Sequence, residues 1–173
     1  MEVGTFEAAY RATMPDVYRY LVRATGGDVP LAEDLTQAVF LTAAREHAAG
    51  RDGCLTPAWL RTVARNRLID HHRRSVREAA RLPVAAGPVA HAAGPEDGVV
   101  AGTGSAAVRA LPRLDPDQRV ALVLRYLDDL PVREVARLLG RSVRATESLL
   151  VRARAALRLA YEREGCDDGP DAG

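Results

Sequence analysis

The sequence predicts an all-α protein built from two small helical domains that are joined by a flexible linker. Three observations carry this prediction. Apolar residues recur at three- and four-residue spacing in both halves of the chain, sustained strand alternation is absent, and an Ala/Gly/Pro-rich segment separates the halves. With 173 residues, 47% of them hydrophobic, the chain is long enough to build two modest cores.

Three helices are predicted in the first half of the chain. The first has Pro15 near its start or at a kink, and the Gly-rich break at 26–30 ends it. The second ends in the break at 50–54, and the third starts near Pro57 and continues to about Arg81. Their predicted buried faces comprise Phe6, Tyr10, Val17 and Leu21, then Leu31, Leu35, Val39 and Ala43, and finally Leu60, Val63, Ala64 and Leu68.

The segment 82–107 is predicted to be a flexible linker. Its 26 residues include eight Ala, five Gly and three Pro, and its only charges are Glu96 and Asp97. Such a long stretch without a helical pattern favours two domains over one, although an ordered loop packed on a single body remains the alternative. The expected divisions are a domain over 1–81, a second domain over 108–164 and a disordered tail over 165–173.

The second half carries the pattern of a helix–turn–helix. A helix start is predicted at 115–118, a short helix begins at Pro131, and Gly140 ends it in a left-handed conformation. Ser142 is placed to cap the next helix, which runs from 143 to about 161. The predicted inward residues are Val120, Leu124 and Leu127, then Val132, Val135, Ala136 and Leu139, and in the last helix Val143, Thr146, Leu150, Ala153 and Leu157.

The charges are concentrated locally although the whole chain is nearly neutral. All 24 basic residues are Arg, against 23 acids, and each of the segments 61–81 and 133–158 holds seven Arg against two acids. Arg is the cation suited to bidentate contacts with phosphates and guanine edges. The predicted outward face of the last helix comprises Arg144, Ser148, Val151, Arg152 and Ala155, bordered by Glu147 and Arg158.

That outward face predicts a recognition helix that enters the DNA major groove. The alternative is a solvated helix face, in which Glu147 pairs with Arg144 or Arg154. The Arg61 side of the third predicted helix also suits nucleic acid, although its neighbour Trp59 is more typical of a core residue.

Several classes of protein are disfavoured. Cys54 and Cys166 lie far apart and outside any metal-ligand spacing, which argues against a disulfide scaffold or a Cys-rich zinc site. His71 and His72 are adjacent on a helix and point about 100° apart, so they do not form a shared metal site. We therefore expect no cofactor, no metal and no catalysis. No secretory signal and no apolar run of about 18 residues are found, so we expect a soluble cytoplasmic protein without membrane insertion.

Four stretches together resemble the bacterial extracytoplasmic-function (ECF) sigma factors. They are AEDLTQAVFLTAARE (32–46), AWLRTVARNRLIDHHRR (58–74), LDPDQRVALVLRYLDDLPVREVARLLG (114–140) and SVRATESLLVRARAALR (142–158). They occur in the family's order and leave out little beyond the linker and the tail. The sequence departs from the family at Thr146, where members often carry a branched apolar residue.

The resemblance implies a factor that binds core RNA polymerase and reads two promoter elements. It implies that the second helix docks on the clamp of the polymerase β′ subunit through Glu33, Asp34, Gln37 and Leu41. It implies that the third helix contacts the −10 element through Arg61, Arg65, Asn66, Arg73 and Arg74, while the loop 50–56 helps to select a flipped base. For the −35 element it implies Arg144, Glu147, Ser148, Arg152 and Arg154.

The expected partners are therefore core RNA polymerase and promoter DNA. Many relatives are also held by an anti-sigma factor wedged between the two domains, so such a protein is a candidate partner here. The competing interpretation is a stand-alone helix–turn–helix regulator whose N-terminal half dimerises or senses a ligand. That regulator would bind a two-fold symmetric operator tightly without polymerase.

Overall fold

The computed structural model of the protein describes residues 3–51, 55–81 and 109–167, which are helices and turns without a strand among them. They belong to two compact units that divide within the segment 82–108. The predicted all-α fold with two domains is therefore confirmed. The linker predicted over 82–107 lies outside the described residues, as does Cys54, and the exact domain limits stay predictions.

Three helices form the first unit: α1 (Val3–Thr25), α2 (Val29–Ala48) and α3 (Pro57–Ala79). Each packs against the other two, and Leu21, Val39 and Leu60 contribute one fully buried side chain per helix. An edge-to-face contact joins Tyr10 and Phe40, whose ring centroids lie 4.7 Å apart. A helix of this length is marginal by itself, so the shared apolar core stabilises all three.

Local signals fix where these helices begin. The chain turns after α1 through Gly26 and Gly27, whose positive φ angles of 73° and 83° are readily adopted only without a β-carbon. Asp28 then caps α2, since its carboxylate accepts from the backbone N–H of Leu31 at 3.0 Å. Thr56 caps α3 in the same way, and Pro57 occupies its first turn as predicted.

Of the two places predicted for Pro15, near the start of the helix or at a kink, the structure excludes the first, because Pro15 lies inside α1. Proline there removes one backbone hydrogen bond, to the carbonyl of Arg11. Both residues are exposed, so water can satisfy that carbonyl and the helix continues. Helix α3 ends at Ala79, two residues before the predicted Arg81.

The second unit begins with a 3₁₀ turn at Leu111–Arg113 and continues through α4 (Pro116–Leu122), a π-helical turn (Val123–Leu127), α5 (Val132–Leu139) and α6 (Val143–Asp167). Asp115 caps α4, which confirms the predicted helix start. The buried cluster of the second unit comprises Ala110, Leu114, Ala121, Leu122, Leu149, Leu150, Ala153 and Ala160. Helix α6 extends past the predicted end at 161 and three residues into the predicted tail.

Helices α5 and α6 form the predicted helix–turn–helix. Gly140 ends α5 with a φ of 66°, in the left-handed region. The hydroxyl of Ser142 accepts from the backbone N–H of Ala145 at 3.2 Å and so caps α6. Both predictions are confirmed.

Most predicted inward residues of the helix–turn–helix are buried, but α6 differs from the prediction at two positions. Val143 is 39% exposed, because it stands at the start of the helix beyond the packed region. Leu149, which the prediction omitted, is 3% exposed and packs in the core beside Leu150. Thr146 is fully buried, and its hydroxyl donates to the carbonyl of Ser142 at 3.0 Å. The polar departure from the family pattern is therefore satisfied internally.

Candidate nucleic-acid and polymerase interfaces

One side of α6 is an exposed, basic surface, here called the recognition face. Successive residues advance by about 100°, so positions spaced three and four apart fall on one side of the helix. The predicted −35 residues all lie there and are all exposed, as are their apolar or small neighbours. The recognition face comprises Arg144, Glu147, Ser148, Val151, Arg152, Arg154, Ala155 and Arg158.

The guanidinium groups of the recognition face have no partner in the described part of the chain. Arg144, Arg152, Arg154 and Arg158 form no hydrogen bond or ion pair there through their side chains. The ion pairs left open by the sequence, from Glu147 to Arg144 or Arg154, are likewise not formed among the described residues. The alternative of a salt-bridged surface helix is therefore not supported.

Elsewhere in the second unit, arginines hold the fold together. Arg119 donates to the carbonyls of Leu111 at 3.0 Å, Pro112 at 3.2 Å and Leu114 at 3.0 Å. Arg137 pairs with Glu134, and this hydrogen bond raises the pKa of the guanidinium. Arg119 and Arg137 thus bond to groups of their own unit, whereas the arginines of the recognition face form no such bond within the described ranges.

Sequence reasoning missed the role of Arg141, the middle residue of the turn between α5 and α6. Its guanidinium pairs with the carboxylate of Asp117 in the first turn of α4. The two side chains are 33% and 28% exposed, so the pair is partly shielded from water. The pair ties the turn that precedes the recognition face to the first turn of α4, 24 residues earlier in the chain. No local spacing signals a contact across 24 residues.

The predicted polymerase-binding residues share one exposed side of α2. Glu33, Asp34, Gln37 and Leu41 fall within an arc of about 100° on a regular helix. All are exposed, and Leu41 exposes 51% of its surface although it is apolar. The carboxylates of Glu33 and Asp34 form no ion pair in the described part of the chain. This surface, here called the α2 face, lies away from the buried Ala32, Leu35 and Val39.

The five predicted −10 residues are not gathered on one side of α3. Arg61 and Arg65 lie beside the buried residues of the helix, with His72 between them in angle and also buried. The Arg61 guanidinium stands 5.1 Å from the centroid of the Tyr20 ring of α1. Arg65 is half-buried, and its Nε atom is buried without a hydrogen-bond partner in the described structure.

The other three −10 residues lie farther round α3. Asn66 and Arg74 are exposed and Arg73 is half-buried, on the side that faces away from the core. Trp59 is half-buried at the start of the helix. This outer part of α3 is open to a ligand, as is the exposed Arg61, whereas Arg65 is partly covered.

An ion pair joins the last turn of α2 to the beginning of the loop over 50–56. Arg51 donates through Nη2 to Glu46 at 2.8 Å, and its Nε also contacts that carboxylate. The hydrogen bond from Arg51 holds the pKa of Glu46 below its usual value. This pair fixes the second residue of the loop to α2.

Within the described ranges, no three His, Cys, Asp or Glu side chains come together as a metal site. In the same ranges, none of the helices has the length and apolar character of a membrane span.

Comparisons with known proteins match both units. The models of Sigma-70 region 2 and of Sigma-70 region 4 match residues 9–78 and 105–157. The ECF RNA polymerase sigma factor SigM of Bacillus subtilis is 31% identical over 159 residues, which are 92% of this chain and 96% of SigM. This chain belongs to the ECF sigma factors.

Other relatives of this ECF sigma factor are longer. It is 37% identical to the ECF sigma factor BldN of Streptomyces coelicolor over 161 residues, and the match covers 88% of this chain but 58% of BldN. The match to SigJ of Mycobacterium tuberculosis, at 36% identity, covers 50% of SigJ. Thus the chain spans about half to three fifths of the length of these two relatives.

A solved structure supports the fold of this ECF sigma factor. It is the sigma factor RpoE of Bartonella quintana in complex with the anti-sigma factor NepR, at 23% identity and a TM-score of 0.50, covering 92% of this chain and 98% of that chain. The match to SigM and the two family models confirm the predicted family and disfavour the stand-alone regulator.

Proposed function

We propose that this ECF sigma factor binds core RNA polymerase through its α2 face and directs it to promoters by reading two DNA elements. The second unit reads the −35 element through the recognition face, and the first unit engages the −10 element through α3. The observation that carries this proposal is the set of four unpaired arginines on the recognition face. Their charge is available to DNA because no acid in the described part of the chain pairs with them.

The recognition face has the chemistry that a major groove requires. Free arginines bind guanine edges or phosphates, Ser148 can donate or accept, and Ala155 permits a close approach. The N-terminal part of a recognition helix contacts base edges. Arg144, Glu147 and Ser148 are therefore assigned to bases, and Arg152 and Arg154 to bases or flanking phosphates.

For the α2 face we propose the clamp of the polymerase β′ subunit as the partner. Two unpaired carboxylates beside an exposed Leu41 suit a basic protein surface that also has an apolar patch. Apolar and charged groups together give a protein contact both its buried area and its orientation.

Within α3 the packing separates residues that we propose to contact DNA from residues that we propose to support the contact surface. Asn66, Arg73 and Arg74 are proposed to contact the −10 strand or its phosphates, because they lie on the outer side. Arg61 stacks on Tyr20 and Arg65 is half-buried, so these two are proposed to support the DNA surface and to contact DNA at its edge. The loop at 50–56, anchored by the Glu46–Arg51 pair, is proposed to help select a base.

Two weak sites become one strong site when polymerase holds both domains. Each unit offers few contacts, and the chain carries a formal net charge of only +1. Tethering raises the effective concentration of the second site only where both can be engaged together. An anti-sigma partner, such as that of the RpoE structure, is proposed to act by covering these faces. We assign this sigma factor no catalytic role and propose that it acts in the cytoplasm.

The polymerase contact is tested by reversing a charge on the α2 face. Asp34→Arg should abolish co-purification with core polymerase while circular dichroism stays unchanged, since Asp34 is exposed and unpaired. The matched control is Asp70→Arg, the same charge change at an exposed residue of α3. Retention of polymerase by Asp34→Arg would contradict the assignment of this face.

The DNA contact is tested on the recognition face. Arg152→Ala should lower −35-dependent transcription about 5- to 100-fold, the range for loss of one base contact, and leave polymerase binding intact. Arg163→Ala is the control, because Arg163 is also exposed on α6 but lies about 16 Å farther along the helix axis. Equal losses in both variants, or loss of polymerase binding, would refute the role of Arg152.

A further inference from the structure

Glu147 is the one acid on the recognition face between Arg144 and Arg158. It is exposed and forms no ion pair with the arginines around it in the described structure. An acid at this place repels DNA phosphates, so its presence in a DNA-binding surface calls for a compensating interaction.

No role inside the protein accounts for Glu147. The cap of α6 is made by Ser142. The helix dipole favours acids in the first turn, but that effect falls off within the turn, and Glu147 is the fifth residue of the helix. Packing does not use the side chain either, since the buried side of this helix segment is made by Thr146, Leu149 and Leu150.

The compensating group must be a hydrogen-bond donor in the major groove. The donors that bases present there are the amino groups of cytosine (N4) and adenine (N6). In adenine the amino group stands beside the N7 acceptor, which repels a carboxylate and suits Asn or Gln instead. Cytosine N4 has no such neighbour on its own base, so it is the better partner for Glu.

We propose that Glu147 is a specificity-determining residue whose carboxylate accepts a hydrogen bond from the N4 amino group of a cytosine in the −35 element. The inference rests on the proposed function of the recognition face and adds the identity of one base. A base without this amino group leaves the carboxylate of Glu147 without a donor, which penalises that base at this position.

The test compares promoter preferences of the holoenzyme. Core polymerase with the full chain transcribes a template library randomised over the −35 and −10 regions, and the transcribed templates are sequenced. The wild type should favour cytosine at one −35 position by about 5- to 100-fold. E147A should lose that preference at this position alone, and E147Q should shift it to adenine, because Gln pairs with adenine N6 and N7.

The control is E162Q, which changes an exposed Glu farther along the same helix and should leave the preference profile unchanged. Identical profiles for the wild type and E147A would overturn the inference while −35-dependent transcription by both still supported the proposed function. Loss of a preference for guanine, adenine or thymine instead of cytosine would also overturn it. A holoenzyme that initiates on no template would overturn the proposed function itself.

Discussion

Replacing Asp117 by Asn tests whether the ion pair with Arg141 anchors the turn before the recognition face. Exposed ion pairs contribute about 0–1 kcal/mol, and breaking a buried pair costs about 3–5 kcal/mol. The side chains of Asp117 and Arg141 are 28% and 33% exposed, which places them between these limits. We therefore expect Asp117→Asn to lower the free energy of unfolding of the second unit by about 1–2 kcal/mol.

The chain provides a probe that separates its two domains. Trp59 is the only tryptophan of the sequence and belongs to α3 in the first unit. In a urea titration of the full chain, tryptophan fluorescence reports unfolding of the first unit, and circular dichroism reports both. Asp117→Asn should move the dichroism transition to lower urea and leave the fluorescence midpoint in place.

A double-mutant cycle isolates the pair from other effects of each change. Asp117→Asn, Arg141→Gln and the double variant should give a coupling energy of about 1 kcal/mol. Additive single effects, within about 0.3 kcal/mol, would refute the reasoning and leave Arg141 as a residue without an anchoring role.

Three further changes have defined outcomes. Leu60→Ala should destabilise the first unit by about 2–4 kcal/mol, seen as a lower fluorescence midpoint, because Leu60 is fully buried; an unchanged midpoint would contradict the core. Arg51→Gln should raise the pKa of Glu46 towards its ordinary value in an NMR titration of the carboxyl group. Because folding lowers the pKa of Glu46, the ion pair stabilises the folded state fully at pH values above the ordinary pKa, and this contribution is lost as the pH falls through the lowered pKa. An unmoved titration curve of Glu46 would exclude this contribution. Gly140→Ala should lower the free energy of unfolding of the second unit by about 1 kcal/mol, measured from the dichroism transition. The cost comes from the positive φ alone, because nothing lies within 4 Å of an added β-carbon. Gly140→Asn should cost less, and equal costs for the two variants would point to another cause.

Local and periodic features of this chain were readable from the sequence. Gly140 and Ser142 act over one helical turn, so residue type alone predicts their roles as terminator and cap. The outward side of α6 followed from the 100° advance per residue, and exposure along it agrees with the prediction. The family resemblance supplied the order of the two units, which no single motif could give.

Contacts between distant residues were not readable in this way. The pairing of Arg141 with Asp117 depends on how α4 packs beside α6, and no spacing encodes it. Likewise the helical period places Arg61 and Arg65 on one side of α3, but only the packing against α1 reveals that this side is partly covered. At Pro15 the sequence left two places open, a helix start or a kink, and the exposed backbone, which water can hydrate, permits a position inside α1.

The lack of internal ion pairs at the recognition-face arginines, within the described part of the chain, has a kinetic consequence. Among the described residues, Arg144, Arg152, Arg154 and Arg158 have no side-chain partner to give up before the proposed contact with DNA. If the recognition face reads DNA as we propose, its association with a promoter is limited by diffusion and counterion displacement rather than by a prior exchange of ion pairs. The activation barrier to docking should accordingly be small, and the encounter should slow as electrolyte is added.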